Sequence, residues 1–196
     1  HNSRFRFVTV DAAARARNLS GSIAFLGESM IANVCYNVSA PEVALGLNED
    51  RGNFKVYLGD TGLLVSQVMR GDPQAGDDLD RALVTGRRGI NEGMVGENAV
   101  AQTLAANGHG LYFHEYSYRP AEAKRESPYE VDFLIVRGKR LCPIEVKSSG
   151  YKSHKSFDYF TEKYDIKINE RFIVYTKNLA HEGNLTYLPL YMAMCL

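Results

Sequence analysis

The chain contains no tryptophan, only six prolines and only three cysteines among its 196 residues. Cys35, Cys142 and Cys195 are odd in number, far apart, and never in the paired C-x-x-C spacing of a structural zinc site. A disulfide framework is therefore excluded, and all three are expected to be small buried apolar residues in a reducing compartment. An excess of one charge is also lacking, since 23 Lys and Arg stand against 23 Asp and Glu. That balance excludes a polycation that grips nucleic acid by bulk charge, but it leaves room for a local basic groove. No apolar run approaches the ~20 residues of a membrane-spanning helix. The expectation is a cytoplasmic protein without membrane contact. The opening His1-Asn2-Ser3-Arg4 is neither a signal peptide nor a natural start, so the chain is expected to begin inside a longer protein.

What is present suits one compact domain or two small ones: 45% hydrophobic residues, 23% charged residues, twelve Tyr and nine Phe. Ser20-Gly21-Ser22 followed by Ile23, Leu26, Met30 and Ile31 predicts a capped helix. Residues 34–38 and 54–58 read as strands, with a loop over 39–53 that holds Pro41, Gly46 and Gly52. Together these suggest a small winged-helix-like module over residues 1–70. Residues 62–70 read as a short helix, and Gly71-Asp72-Pro73 marks a boundary to a second domain over 71–196.

From Ile90 the pattern sharpens. Ile90, Met94, Ala101, Leu104 and Ala105 share a helical face that Gly108 should end. Strands are expected at 111–116, 129–136 and 140–147, then a helix over 153–164 and a strand over 171–176 whose continuous apolar run implies burial on both faces. The order is αβββαβ, an α/β fold with a mixed sheet. The crossover helix makes the last two strands parallel neighbours.

Four residues in this frame carry chemistry. Glu97 lies on the apolar stripe of its own helix, where an acid is unusual. Asp132 sits between Val131 and Phe133, and Glu145 and Lys147 share one face of their strand. With Gly138-Lys139 as a two-residue type II′ turn, Arg137 pairs with Arg140. Asp132 then falls opposite Glu145, with Cβ atoms roughly 5 Å apart. Two facing carboxylates call for a cation between them. Asp132, Glu145 and Glu97 are candidate ligands for a divalent cation, and Lys147 is a candidate for orienting water or a phosphate oxygen. Each of these residues alone would more commonly be a solvated charge.

Pro128-Tyr129-Glu130-Val131-Asp132 and Glu145-Val146-Lys147, with Glu97 on a preceding helix, resemble the PD-(D/E)XK restriction-endonuclease-like superfamily. Residues 55–64 (KVYLGDTGLL), Gly96-Glu97-Asn98-Ala99-Val100, residues 144–149 (IEVKSS) and residues 187–192 (YLPLYM) are similar to a domain of unknown function found C-terminal to AAA-type ATPase modules. The resemblance implies a restriction-endonuclease-like core and catalytic Asp132, Glu145 and Lys147. It also implies Mg²⁺ held by Glu97, Asp132 and Glu145. A nucleotide-binding module would lie upstream as an intramolecular partner, with ATP bound only there, because no GxxxxGK[ST] pattern occurs in these residues. Pro143 departs from the pattern by removing a ladder donor inside a strand.

Nucleic acid, DNA first, is the expected partner, and self-association is left open. Residues 119–155 hold nine Lys or Arg against five Asp or Glu. Arg119, Lys124, Arg125, Lys152 and Lys155 are candidate phosphate contacts, with Tyr118, Tyr129 and Tyr151 as candidate stacking platforms. His109, His114 and His154 are expected on surfaces or loops, and Asp60 as a helix cap. Two rivals to a nuclease remain: a catalytically silent nuclease-like module for DNA or protein binding, and a structural domain whose acids and lysine form a closed charge network.

Overall fold

The structure is a computed structural model and describes residues 16–69, 92–121, 123–164, 168 and 170–196. Helix α1 (Ala16–Glu28) leads into β1 (Ala32–Val38), and a 3-10 turn (Leu45–Asn48) leads into β2 (Glu49–Leu58). Helices α2 (Thr61–Met69) and α3 (Glu92–Ala106) precede β3 (Tyr112–Tyr118), β4 (Ser127–Val131), β5 (Phe133–Arg137) and β6 (Arg140–Lys147). Then come α4 (Lys155–Tyr164), β7 (Arg171–Tyr175), β8 (Ala180–Glu182), β9 (Leu185–Pro189) and a closing 3-10 turn (Leu190–Cys195).

The strands form two mixed sheets, ordered β2-β1-β3-β4 and β5-β6-β7-β9-β8. The fold class is therefore mixed α/β. The period of two along each strand divides the side chains between two cores. Phe133, Ile135, Ile144, Phe172 and Val174 join Val100, Ala101 and Leu104 of α3 in one core. Leu134, Leu141, Ile173 and Tyr175 join Phe157 and Phe160 of α4 in the other. The second sheet is thus a layer between two helices, and β7 is apolar on both faces as its sequence predicts.

The hairpin follows the predicted register. Arg137 pairs with Arg140, and Gly138 takes φ +64°, a left-handed value that glycine adopts without strain. Pro143 does not shorten β6. Counting from the turn, its pair with Leu134 is one that exchanges no hydrogen bonds, so its nitrogen faces β7, and that ladder begins one residue later at Ile144↔Phe172. Helix α3 ends as Gly108 requires. Gly108 has φ +83°, and the N–H groups of Gly108 and His109 donate to the carbonyls of Ala105 and Leu104, both at 3.0 Å.

Several expectations need correction. Helix α1 begins at Ala16 and runs through Ser20-Gly21, so those residues do not cap it. Met30, at φ +57°, lies past its end. Strand β2 starts at Glu49, well inside the predicted loop, because Asp50 and Glu49 pair with Asn37 and Val38 beyond a bulge in the ladder. Strand β1 lies parallel to β3, so the ribbon of residues 32–58 extends the sheet that β3 and β4 complete. The expected single strand over 129–136 is broken at Asp132: β4 pairs with β3 while β5 pairs with β6. Strands β8 and β9 extend the αβββαβ order. Ile90 and the boundary near residue 71 lie outside the described residues.

Candidate functional site

Asp132 occupies the break between β4 and β5. There its Oδ2 accepts a hydrogen bond from the backbone N–H of Val146 at 2.8 Å. A side chain has taken over a backbone donor of β6, and Val146 is the residue between Glu145 and Lys147. The aspartate and the Glu-x-Lys sequence are joined by this one bond.

On β6, Glu145 is buried and Lys147 is 28% exposed. The two form an ion pair, and the hydroxyl of Ser156 on α4 donates to the other Glu145 oxygen at 2.6 Å. Helix α4 is itself fixed by Phe157 and Phe160, both fully buried.

A second group of charges faces Asp132 from β2, β4 and α3. Lys55 is 1% exposed, with Nζ 2.5 Å from Oε1 of Glu130 and 4.0 Å from Oε2 of Glu97. The hydroxyl of Tyr57 donates to the same Glu97 oxygen at 3.2 Å. The sequence pointed to Glu97, Asp132, Glu145 and Lys147, but not to Lys55, Tyr57, Glu130 or Ser156. Lys55-x-Tyr57 alternates as a strand should, yet a lysine at an inward position reads as solvent-facing until the sheet order is known. Asn98 was also missed. It is 2% exposed, its amide bridges the N–H and C=O of Leu58 at 2.8 and 3.1 Å, and it donates to Thr61 Oγ1 at 3.0 Å. That clamp fixes the Glu97 end of α3 to the end of β2. Gly59 follows directly, and a Cβ there would lie 2.1 Å from the Met30 carbonyl oxygen.

The electrostatics follow from this crowding. Burial, then the Glu97 charge, push the Asp132 carboxyl up to about 8, against the pull of Lys55 and the Val146 N–H. Glu97 is raised too, by burial and by Glu130, although Lys55 and the Tyr57 hydroxyl oppose the shift. Burial works against the Lys55 ammonium, but Glu130, Asp132 and Glu97 together outweigh it and raise its pKa. Glu97, Glu130, Asp132 and Glu145 stand against Lys55 and Lys147, four carboxyl groups to two ammonium groups.

That donor set fits a hard divalent cation. Among the described residues no three Asp, Glu, His or Cys side chains are grouped as a ready metal cage. Mg²⁺ does not need one, because it is commonly held by one or two carboxylates and keeps several waters. Asp132, which accepts the Val146 N–H on one oxygen, and Glu145 are the residues placed to supply such carboxylates; the charge of Glu97 acts on Asp132 from α3.

The basic candidates Arg119, Lys124, Arg125, Lys152 and Lys155 are all exposed, and none pairs with a carboxylate among the described residues. Arg119, Lys124 and Arg125 lie on the β3–β4 connection, Lys152 on the β6–α4 connection and Lys155 at the first residue of α4. The tyrosines beside them are committed elsewhere. Tyr118 stacks on Tyr159 at 4.9 Å, Tyr129 meets Tyr159 edge-on at 5.0 Å, and Tyr151 packs on Tyr175 at 5.2 Å. His114 is buried rather than on a surface: Nδ1 donates to the Val38 carbonyl and Nε2 accepts from the Tyr164 hydroxyl, both at 2.7 Å. Cys35 and Cys142 are buried, but Cys195 is exposed. Asp60 Oδ1 does cap α2, accepting from the Leu63 N–H at 2.7 Å. A cleft of about 370 Å³ lies apart from all of this, between the Val43–Leu47 segment, His109 and Tyr112, and no acid of the cluster lines it.

No helix among the described residues is long and apolar enough to cross a membrane. No curated protein and no solved structure matches the chain. A family model described as a domain of unknown function (DUF4143) matches residues 92–192, from the start of α3 into the closing 3-10 turn. That span includes Glu97, Asp132, Glu145 and Lys147 but not Lys55 or Tyr57. The chain belongs to this family, DUF4143.

Proposed function

We propose that this chain is a nuclease-like module of the PD-(D/E)XK type that hydrolyses phosphodiester bonds of nucleic acid with Mg²⁺. The observation that carries the reading is the bond from the Val146 N–H to Asp132, which joins the aspartate to Glu145-x-Lys147. Asp132 and Glu145 hold the cation, with Glu97 in support. When bound, the cation supplies Lewis-acid polarisation and a water of lowered pKa. Lys147, on the exposed side of Glu145, stabilises charge on a phosphate oxygen or orients the attacking water. Arg119, Lys124, Arg125, Lys152 and Lys155 contact the phosphate backbone, so binding is salt-dependent and sequence-tolerant. The module acts at the C-terminal side of an AAA-type ATPase module in a cytoplasmic protein, with ATP bound only by that upstream module.

A second reading is a catalytically silent nuclease-like module that binds DNA or a protein. The contact in its favour is that Glu145 is engaged on both oxygens, by Lys147 and by Ser156. Cleavage of plasmid and single-stranded DNA with Mg²⁺ or Mn²⁺, for wild type, Asp132→Ala and Lys147→Ala, separates the two. Metal-dependent cutting lost in both variants supports the nuclease. Salt-sensitive binding with no cutting supports the silent module.

A further inference from the structure

Among the described residues, Lys55 is the most deeply buried charged side chain. An ammonium in such a place loses its hydration, and only nearby carboxylates can replace it. Glu130 of β4 accepts from Nζ at 2.5 Å, Glu97 of α3 lies 4.0 Å away, and Asp132 acts at longer range. The ring of Phe113, in β3, has its centroid 5.0 Å from the same ammonium. One side chain of β2 therefore ties together β3, β4 and α3. Tyr57, two residues along the strand and on the same face, holds the Glu97 oxygen that Lys55 approaches.

Lys55 is too enclosed to touch a substrate, so whatever it does passes through the acids around it. Glu130 and Asp132 lie two residues apart at the end of β4, but no covalent link brings Glu97 of α3 to them, and like charges brought together repel unless a cation lies among them. Lys55 lies within 4.0 Å of both Glu97 and Glu130. It also lies outside residues 92–192, on the ribbon that precedes the family match.

We propose that Lys55 is the resident cation of the carboxylate cluster, a positioning residue that holds Glu97 and Glu130 beside Asp132 from a strand outside the matched region. The ribbon of β1 and β2 is on this account part of the site. A divalent cation joins a cluster that Lys55 has already gathered. That last step rests on the nuclease reading, whereas the gathering of the acids does not.

The test is thermal unfolding of the full chain as wild type, Lys55→Met and the double variant Lys55→Met/Glu130→Gln. Each is measured in EDTA, in millimolar MgCl₂, and in NaCl of matched ionic strength. Methionine keeps the apolar stem and removes the charge. Lys55→Met is expected to melt about 10 °C below wild type in EDTA. MgCl₂, but not NaCl, should recover at least half of that loss, and the double variant should recover it without any metal. If Lys55→Met does not fold in EDTA, folding of the double variant under the same conditions supports the proposal. An unfolded double variant overturns it, as does Lys55→Met melting within a degree or two of wild type. Recovery by Glu130→Gln without recovery by MgCl₂ keeps Lys55 in its role and removes the metal from the site.

Discussion

The carboxylate of Asp132 accepts the backbone N–H of Val146 at 2.8 Å, so a side chain completes the ladder where β4 and β5 part into different sheets. Asparagine can keep that bond through its own carbonyl oxygen while removing the charge, whereas alanine removes both the charge and the acceptor. Asp132→Asn is therefore expected to fold at least as stably as wild type, and Asp132→Ala to lose about 1–3 kcal/mol. Both should abolish metal-dependent cutting. Urea unfolding alongside a plasmid assay checks the pair; equal stability of the two variants would contradict the role given to the hydrogen bond.

Stability should depend on pH in a direction set by Asp132. Its folded-state carboxyl titrates near 8, above the ordinary 3.8 it regains on unfolding. A raised carboxyl stabilises the folded state fully below the unfolded value, and that contribution is lost as pH rises towards 8. Without divalent ions, the wild type should therefore lose on the order of a few kcal/mol between about pH 4 and 8, and Asp132→Asn should lose much less. His114 acts with the opposite sign. Burial holds its imidazole below the usual range, so stability falls once pH drops below the ordinary 6.5. Denaturant melts at several pH values in the Asp132→Asn background isolate that acid-side loss.

Asn98 should matter to the fold as much as a core hydrophobe. Alanine in its place strands the N–H and C=O of Leu58 and frees the end of α3 that carries Glu97. Asn98→Ala is expected to cost about 2–3 kcal/mol, and Phe160→Ala about 3–5 kcal/mol. Thermal or urea unfolding measures both. A cost near zero for Asn98→Ala would mean that the clamp does not hold α3 on β2.

The basic rim should reveal itself through salt. Removing any one of Arg119, Lys124, Arg125, Lys152 or Lys155 is expected to reduce the slope of log affinity against log salt by about 1, with little effect on sequence preference. Fluorescence anisotropy on short duplex and single-stranded DNA supplies that slope. Five unchanged slopes would place the nucleic-acid surface elsewhere.

Local chemistry was legible in the sequence where it decides structure by itself. The Gly138 turn fixed the β5–β6 register, Gly108 ended α3, and the apolar run of β7 announced burial on both faces. The Glu145-x-Lys147 alternation likewise located one half of the candidate site. What escaped depends on contacts distant in sequence. The run from Tyr129 to Val136 has no breaker, and only its pairing, β4 with β3 and β5 with β6, reveals that it is two strands in two sheets. Lys55 reads as an ordinary strand lysine until β4 and α3 bring Glu130 and Glu97 to it. His114 sits in a polar-looking stretch, and its burial follows from Val38 and Tyr164, both at least fifty residues away in the chain.

The most direct measurement is a calorimetric titration of Mg²⁺ or Mn²⁺ into wild type and Asp132→Ala, with plasmid and single-strand cleavage followed in the same samples. Saturable binding and metal-dependent cutting in wild type, both lost in the variant, are the predicted result. The absence of metal-specific heat and of cutting in the wild type would contradict the nuclease account and leave the acids and lysines as a charge network that serves the fold.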